Sequence, residues 1–153
     1  MANTFTQIVL QFVFAVRYRE CLIPREHKQE LHVYIGGLIK HRGSKPFAIH
    51  CMPDHAHILI GYKPTIHIPD LVKEIKVETN EFLNAKGWVP NRFSWQEGYG
   101  AFSYMNRDID KMVKYINNQE THHATIKFHS EYLTLLKEFQ IEYDERYLFE
   151  FFD

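Results

Sequence analysis

Two histidines separated by a single residue, His55 and His57, are the first candidates for chemistry in this sequence. Successive side chains of a β-strand point to opposite faces, so this spacing predicts that both imidazoles project from one face. Ala56, Ile58 and Ile60 would then form the opposite, buried face. Because imidazole nitrogens bind divalent ions well, the pair predicts a metal site at the start of a strand; the alternative is two half-exposed strand histidines with no ligand.

A tyrosine and a glutamine later in the chain form a second candidate set. Residues 106–108 (Asn-Arg-Asp) suit a helix start, and an apolar stripe follows at Ile109, Met112, Val113 and Ile116. At about 100° per residue, Tyr115 lies roughly 110° from the centre of that stripe, so it is not simply a core residue. Gln119 is four residues further on and lies on the same side of the helix as Tyr115.

The histidines that follow, His122 and His123, leave an alternative open. Either could bind a metal in place of Gln119. The other interpretation is that both belong only to the polar end of a helix, where a positive charge suits the helix dipole.

The elements that must position these residues follow from hydrophobic periodicity and turn signals. We predict strands at 6–18, 45–51, 55–62 and 92–104, the last broken by Gly98 and Gly100, and helices from Pro24 to Gly43 and from Pro69 to Gly87. The order β-α-β-β-α-β predicts a ferredoxin-like α+β sandwich: an antiparallel sheet with helices on one face, plus a C-terminal tyrosine-bearing helix. We expect the other sheet face to stay open, with the histidines pointing toward it.

Composition is consistent with one compact domain. The chain has 153 residues, 45% of them hydrophobic, without repeats or low-complexity linkers. The apolar run 8–16 is interrupted by Gln11 and is too short for a membrane span or a secretory leader, so we expect a cytoplasmic protein. The two cysteines, Cys21 and Cys51, have neither the number nor the spacing of a disulfide framework or a cysteine zinc site.

Charge is unevenly distributed, although the net charge is −1. Basic residues predominate between Arg17 and Lys45, whereas acidic residues predominate from Phe128 to the end. A basic front half and an acidic tail are compatible with a localised site for a polyanion; ordinary solvated charge is the alternative.

Four segments together resemble a known family. They are residues 11–19 (Gln-Phe-Val-Phe-Ala-Val-Arg-Tyr-Arg), 52–57 (Met-Pro-Asp-His-Ala-His), 96–102 (Gln-Glu-Gly-Tyr-Gly-Ala-Phe) and 115–119 (Tyr-Ile-Asn-Asn-Gln). The family is that of the single-tyrosine HUH transposases of small bacterial insertion sequences, the IS200-like transposases. The resemblance spans nearly the whole chain. It places a transposase domain at 1–127 and leaves 128–153 as an acidic, aromatic extension packed on, or swapped with, the same domain.

The resemblance implies a DNA transposase that binds hairpin ends of single-stranded DNA and rejoins strands through a 5′-phosphotyrosine intermediate. It implies that Tyr115 is the nucleophile and that His55, His57 and Gln119 bind a divalent ion, Mg²⁺ or Mn²⁺. A homodimer is implied as well, with active sites that can be shared between subunits. The candidate DNA contacts are five basic residues: Arg17, Arg19, Lys73, Lys76 and Lys111. Lys73 and Lys76 lie off the apolar stripe of the second predicted helix, where a solvated face is the alternative to a phosphate contact.

Two other functions remain open. One is a domesticated relative that binds hairpin DNA without transposition, although the candidate site residues are all present. The other is a histidine-triad-like nucleotide hydrolase, which needs a third alternating histidine where this sequence has Leu59. No phosphate-cradling Gly-x-x-x-x-Gly-Lys motif occurs, so we expect no nucleotide cofactor.

Overall fold

The computed structural model describes residues 3–152. Its strands and helices follow one another in the predicted order, with further helices after the last strand. The strands are β1 Val9–Ala15, β2 Lys45–Cys51, β3 His55–Gly61 and β4 Gly100–Tyr104. The helices are α1 Lys28–His41, α2 Ile68–Lys86, α3 Ile109–Asn117, α4 Gln119–His122 and α5 Phe128–Glu138.

The four strands form one antiparallel sheet in the order β2-β3-β1-β4. This is the ferredoxin-like arrangement that the element order predicts. β1 lies between β3 and β4, and all of its residues are buried. Both faces of the central strand are therefore covered by other parts of the chain.

Helices α1 and α2 cover the first face of the sheet. The apolar residues of β1 and β3 that point this way pack into one core with the inward faces of both helices. From the sheet these are Leu10, Phe12, Phe14, Ala56, Ile58 and Ile60, and from the helices Leu31, Ile35, Ile39, Leu71, Ile75 and Leu83. The expected separation of Ala56, Ile58 and Ile60 from the histidines is confirmed.

The expectation that the second face stays open is wrong, because α3 and α5 cover it. Met112 and Ile116 of α3 pack against Val9, Ala48 and Leu59 of the sheet. α5 adds a second apolar stripe, formed by Phe128, Tyr132, Leu135 and Leu136. The histidines of β3 consequently lie in a closed layer between the sheet and these helices.

The last strand is shorter than its apolar pattern predicts. β4 begins at Gly100, and Trp95 forms only an isolated bridge with Val16. Gly98 has a φ of 83°, a left-handed conformation that glycine adopts without a steric cost and that interrupts pairing. The expected strand at 92–104 is therefore reduced to its final five residues.

Close packing between β4 and α5 makes Gly100 a sensitive position. A Cβ atom added to Gly100 lies 2.8 Å from the hydroxyl of Tyr132 and 2.9 Å from the ring of Phe102. We therefore expect Gly100→Ala to lower the free energy of unfolding by about 1–3 kcal/mol, as overpacking does. Denaturant titration measures this value.

Denaturant titration of a double variant tests whether the contact with Tyr132 causes this loss of stability. Gly100→Ala combined with Tyr132→Phe removes the hydroxyl from the clash and should recover part of the loss, giving a favourable coupling energy. Strictly additive losses would show that Tyr132 is not responsible.

Candidate active site

Each histidine of the strand pair has its Nδ1 atom held by a hydrogen bond. His55 Nδ1 lies 2.7 Å from an Asp54 carboxylate oxygen, and His57 Nδ1 lies 2.7 Å from the amide oxygen Oε1 of Gln11 on β1. The Gln11 amide nitrogen in turn donates to the hydroxyl of Tyr104 at 2.7 Å. The exposed fractions of His55 and His57 are only 1% and 0%, so both rings are fixed with Nε2 directed away from the strand.

The tyrosine helix brings its side chains to the same place. Tyr115 of α3 lies with its ring centroid 6.0 Å from that of His57. The helix ends at Asn117, and Gln119 begins α4; its Oε1 lies 3.3 Å from His55 Nε2. Residues more than fifty positions apart in the sequence are thus adjacent within one chain.

The centre of the site is a carboxylate that sequence reasoning did not select. Glu131 of α5 is only 4% exposed. Its Oε1 lies 3.0 Å from His57 Nε2 and 3.1 Å from His123 Nε2, while its Oε2 accepts a hydrogen bond from the Tyr115 hydroxyl. Gln119 Nε2 also donates to Oε2, at 2.9 Å. The histidines, the tyrosine and the glutamine are connected through this one side chain.

A sequence signal for Glu131 exists. The residue interrupts the apolar stripe of α5, between Phe128 and Leu135 at helical spacing, and an acid on a buried helix face needs partners. Phe128, on the same stripe, stacks on His55 with ring centroids 3.8 Å apart. Gln11 carries a similar signal, since it is the one polar residue within the strongly apolar β1.

The pKa values of the site residues follow mainly from their burial and from the charge of Glu131. Burial raises the pKa of the Glu131 carboxyl, but the adjacent His57 and His123 outweigh that effect and hold its pKa well below the usual range. Burial, followed by the charge of Glu131, raises the pKa of the Tyr115 phenol. Burial lowers the pKa of His55, whereas Glu131 outweighs burial at His123 and raises its pKa. In this structure the phenol is therefore protonated and bonded to a carboxylate.

Four of these side chains could hold a metal ion. One ligand atom each from His55, His57, His123 and Glu131 lies within 4.8 Å of the others. Two or three imidazoles with a carboxylate form a donor set that fits a divalent ion. Of the two helix-end histidines, His123 belongs to this group. His122 does not: its Nε2 lies 3.4 Å from Glu131 Oε2 and has no hydrogen-bond partner among the described residues.

A cavity of about 540 Å³ opens beside the tyrosine. α3 contributes Lys111, Met112 and Tyr115 to its wall, and α5 contributes Glu131 and Leu135 among others. Lys111 is exposed at this cavity. A ligand in the cavity therefore has direct access to the phenol and the carboxylate.

The other candidate DNA contacts lie elsewhere. Lys73 and Lys76 are on α2, which packs against the sheet face opposite the histidines. Lys76 Nζ donates to the backbone oxygen of Gln96 at 2.8 Å, and burial lowers its pKa to about 8. Arg17 and Arg19 are exposed after β1 and lie against the rings of Tyr18 and Phe152. Of the five basic candidates, Lys111 is the one that lines the cavity at Tyr115.

The fold and site together define a ferredoxin-like domain with a buried histidine pair and carboxylate beside a tyrosine. The model of the family "Transposase IS200 like" matches residues 4–119, and the chain belongs to that family. The ISDra2 transposase TnpA of Deinococcus radiodurans is 25% identical over 120 residues, covering 74% of this chain and 84% of its own length.

Solved structures show the same fold. A protein from Deinococcus radiodurans R1 assigned as a transposase aligns with a TM-score of 0.59 and 22% identity over 78% of this chain and 95% of its own. A REP-associated tyrosine transposase bound to a REP hairpin aligns with a TM-score of 0.58 and 19% identity over 82% of this chain and 74% of its own. Glu131 and His123 lie beyond the residues that the family model matches.

Within residues 3–152, the structure contains no helix of the length and apolarity that a membrane crossing requires.

Proposed function

We propose that this transposase cuts and rejoins single-stranded DNA at hairpin ends, with Tyr115 as the nucleophile. The observation that carries the proposal is that the Tyr115 hydroxyl and His57 Nε2 bind the two oxygens of one buried carboxylate, Glu131. This contact holds the phenol that we propose as nucleophile beside the side chains that we propose as metal ligands, all within one chain. The family match covers Tyr115 and His57, and the resemblance to that family implies their roles as nucleophile and metal ligand.

The chemistry starts with attack by the phenol oxygen on the scissile phosphorus. The Tyr115 oxygen loses its proton to Glu131 Oε2, which already accepts that hydrogen, as the bond to phosphorus forms. The bond from phosphorus to the 3′ oxygen breaks, and that oxygen receives the phenol proton, relayed from Glu131 through water, so that the carboxylate is regenerated. The products are a 5′-phosphotyrosine and a free 3′-hydroxyl, the polarity implied by the family. Attack by another 3′-hydroxyl reverses these steps and rejoins the strand.

His55 and His57 hold the divalent ion in this proposal, with Gln119 as a further ligand. A divalent ion bound there supplies Lewis-acid polarisation of a non-bridging phosphate oxygen and orients the phosphate for in-line displacement. Mg²⁺ or Mn²⁺ is the ion that the family resemblance implies. The hydrogen bonds from Asp54 and Gln11 keep both rings oriented, as partners of metal-binding histidines commonly do.

A homodimer is part of the proposal, on the basis of the family resemblance. Because Tyr115 lies beside the histidines of its own chain, we infer that cleavage by each subunit uses its own tyrosine. Mixing a Tyr115→Phe subunit with a His57→Ala subunit tests this inference. Cleavage restored in the mixture would show that tyrosine and histidines act across subunits.

The experiment that tests the proposed function uses a hairpin-bearing single-stranded oligonucleotide, the purified protein and Mn²⁺ or Mg²⁺. We expect a protein–DNA adduct that survives denaturation and is absent without the metal. A protein that binds the hairpin without forming the adduct would instead be a binding protein of the same fold.

Lys111 provides a prediction for DNA binding. Because it is exposed at the cavity beside Tyr115, we expect Lys111→Ala to weaken hairpin binding several-fold and to reduce the salt slope of log Kd by roughly 0.7–1. Fluorescence anisotropy at several salt concentrations measures both quantities.

Two further lysines provide comparisons for Lys111. Lys86→Ala, at the far end of α2 where Nζ binds Glu30 at 3.0 Å, is the control and should leave both quantities unchanged. A larger effect of Lys73→Ala than of Lys111→Ala would instead place the DNA along α2.

A further inference from the structure

We propose that Glu131 and His123, which lie beyond the family-matched region, bind the divalent ion together with His55 and His57, and that the resulting site prefers a transition ion such as Mn²⁺ to Mg²⁺. The inference rests on the proposed function for the presence of an ion. It differs from the ligand set that the resemblance implies, because it adds two residues from the C-terminal part of the chain.

The orientation of the three histidine rings is the first argument. His123 Nδ1 lies 2.5 Å from the backbone oxygen of Ile126, so in all three rings Nδ1 faces a hydrogen-bond acceptor. Nδ1 therefore carries the hydrogen, and in a neutral ring Nε2 presents a lone pair. This is the form in which histidine binds a metal, with its second nitrogen held by an outer partner.

The convergence of these lone pairs is the second argument. The Nε2 atoms of His57, His123 and His55 lie 3.0, 3.1 and 3.6 Å from the same oxygen, Glu131 Oε1. Without an ion, protonated imidazoles donate to this oxygen, as the His57 and His123 hydrogen bonds show; a divalent ion would displace those protons and bind the same four atoms. One ligand atom from each of the four residues lies within 4.8 Å of the others, so a small movement would let all four bind one ion.

The two oxygens of Glu131 face different partners, so the carboxylate can bind an ion and keep its hydrogen bond to Tyr115. Its Oε1 faces the three imidazoles, while its Oε2 accepts from Tyr115 and Gln119. One oxygen therefore remains with the phenol when the other binds the ion. The carboxylate is only 4% exposed, so its loss of hydration favours a charged partner such as a cation.

The chemistry of the donor atoms predicts the preference for Mn²⁺ over Mg²⁺. Three imidazole nitrogens and one carboxylate oxygen suit first-row transition ions. Mg²⁺ instead favours oxygen ligands and retains several waters, for which a buried nitrogen-rich site leaves little room. We therefore expect Mn²⁺ to bind at least tenfold more tightly than Mg²⁺.

The test measures metal binding by the metal-free full-length chain, without DNA. Isothermal calorimetry with Mn²⁺, Co²⁺ and Mg²⁺ gives affinity and stoichiometry, and the visible absorption of bound Co²⁺ reports its coordination. We expect one site per chain, and a loss of Mn²⁺ affinity of at least tenfold in both Glu131→Gln and His123→Asn. Glu138→Gln, an exposed acid on the same helix, and His67→Asn, an exposed histidine, are matched controls that should bind normally.

The outcomes separate this inference from the proposed function. Unchanged Mn²⁺ affinity and an unchanged Co²⁺ spectrum in both variants would overturn the inference, even if wild type forms the DNA adduct. Equal wild-type affinity for Mg²⁺ and Mn²⁺ would overturn the preference. Normal metal binding that depends on Glu131 and His123, without any adduct, would support the inference while the proposed function fails. Circular dichroism spectra of the two variants that match that of the wild type exclude a folding defect as the cause of lost metal binding.

Discussion

Tyr115→Phe is expected to eliminate the covalent protein–DNA adduct, with cleavage reduced by about 10³-fold or more. The substitution removes only the hydroxyl oxygen that is proposed to bond to phosphorus, so no other group in the site can substitute for it directly. The hydroxyl donates to Glu131, and the ring lies 6.0 Å from His57, so loss of the oxygen leaves the surrounding packing intact. Denaturing gel electrophoresis of the reaction with a labelled hairpin oligonucleotide measures the adduct.

Tyr99→Phe is the control for this prediction, because Tyr99 is half-buried and lines a separate cavity with Lys73 and Lys76 on α2. It should form the adduct at the wild-type rate. Tyr104 is a second comparison, since its hydroxyl accepts from Gln11 at 2.7 Å. An adduct that persists in Tyr115→Phe and disappears in Tyr104→Phe would move the nucleophile to Tyr104.

His57→Ala is expected to reduce metal-dependent cleavage by about 100-fold or more while changing hairpin affinity by less than roughly threefold. The imidazole is buried at 0% exposure and contacts both Gln11 and Glu131, so its removal deletes a proposed metal ligand without altering the surface. Cleavage rates at saturating DNA and anisotropy measurements of hairpin affinity separate the two quantities. Loss of both in equal measure would indicate a folding defect.

A neighbouring histidine makes the matched control for His57. His50 of β2 is the Cα partner of His57 in the sheet and is also buried, at 7% exposure, but it is not among the group that could hold an ion. His50→Ala should therefore retain metal-dependent cleavage. Thermal unfolding of both variants shows how much of any loss comes from stability, for which a buried unpaired group costs about 1–3 kcal/mol.

Much of the fold follows from local patterns. β3 begins at His55 as predicted, α2 ends at Lys86 before a left-handed Gly87, and α3 starts after the 106–108 segment. These features depend on residues close together in the sequence: alternation in strands, helical spacing and turn-forming residues. The same local rules place the two imidazoles on one face and Tyr115 off the apolar stripe.

Local sequence patterns could not show which helices would pack against the second face of the sheet. The sequence alone predicted an exposed histidine pair, whereas α3 and α5 bury it. Phe128, Tyr132, Leu135 and Leu136 have helical spacing in the sequence, but such spacing does not specify which surface the helix packs against. The packing partner depends on contacts between residues far apart in the chain.

The sequence by itself determined the element order, the shared face of His55 and His57, and the position of Tyr115 off the apolar stripe of its helix. Each of these depends on backbone geometry over a few residues. Only the tertiary structure decided that Glu131, 74 positions after His57, lies between the imidazoles and the phenol. A carboxylate can occupy that buried place because five polar neighbours compensate its desolvation together: His55, His57, Tyr115, Gln119 and His123. That compensation exists only when three separate elements have packed against the sheet.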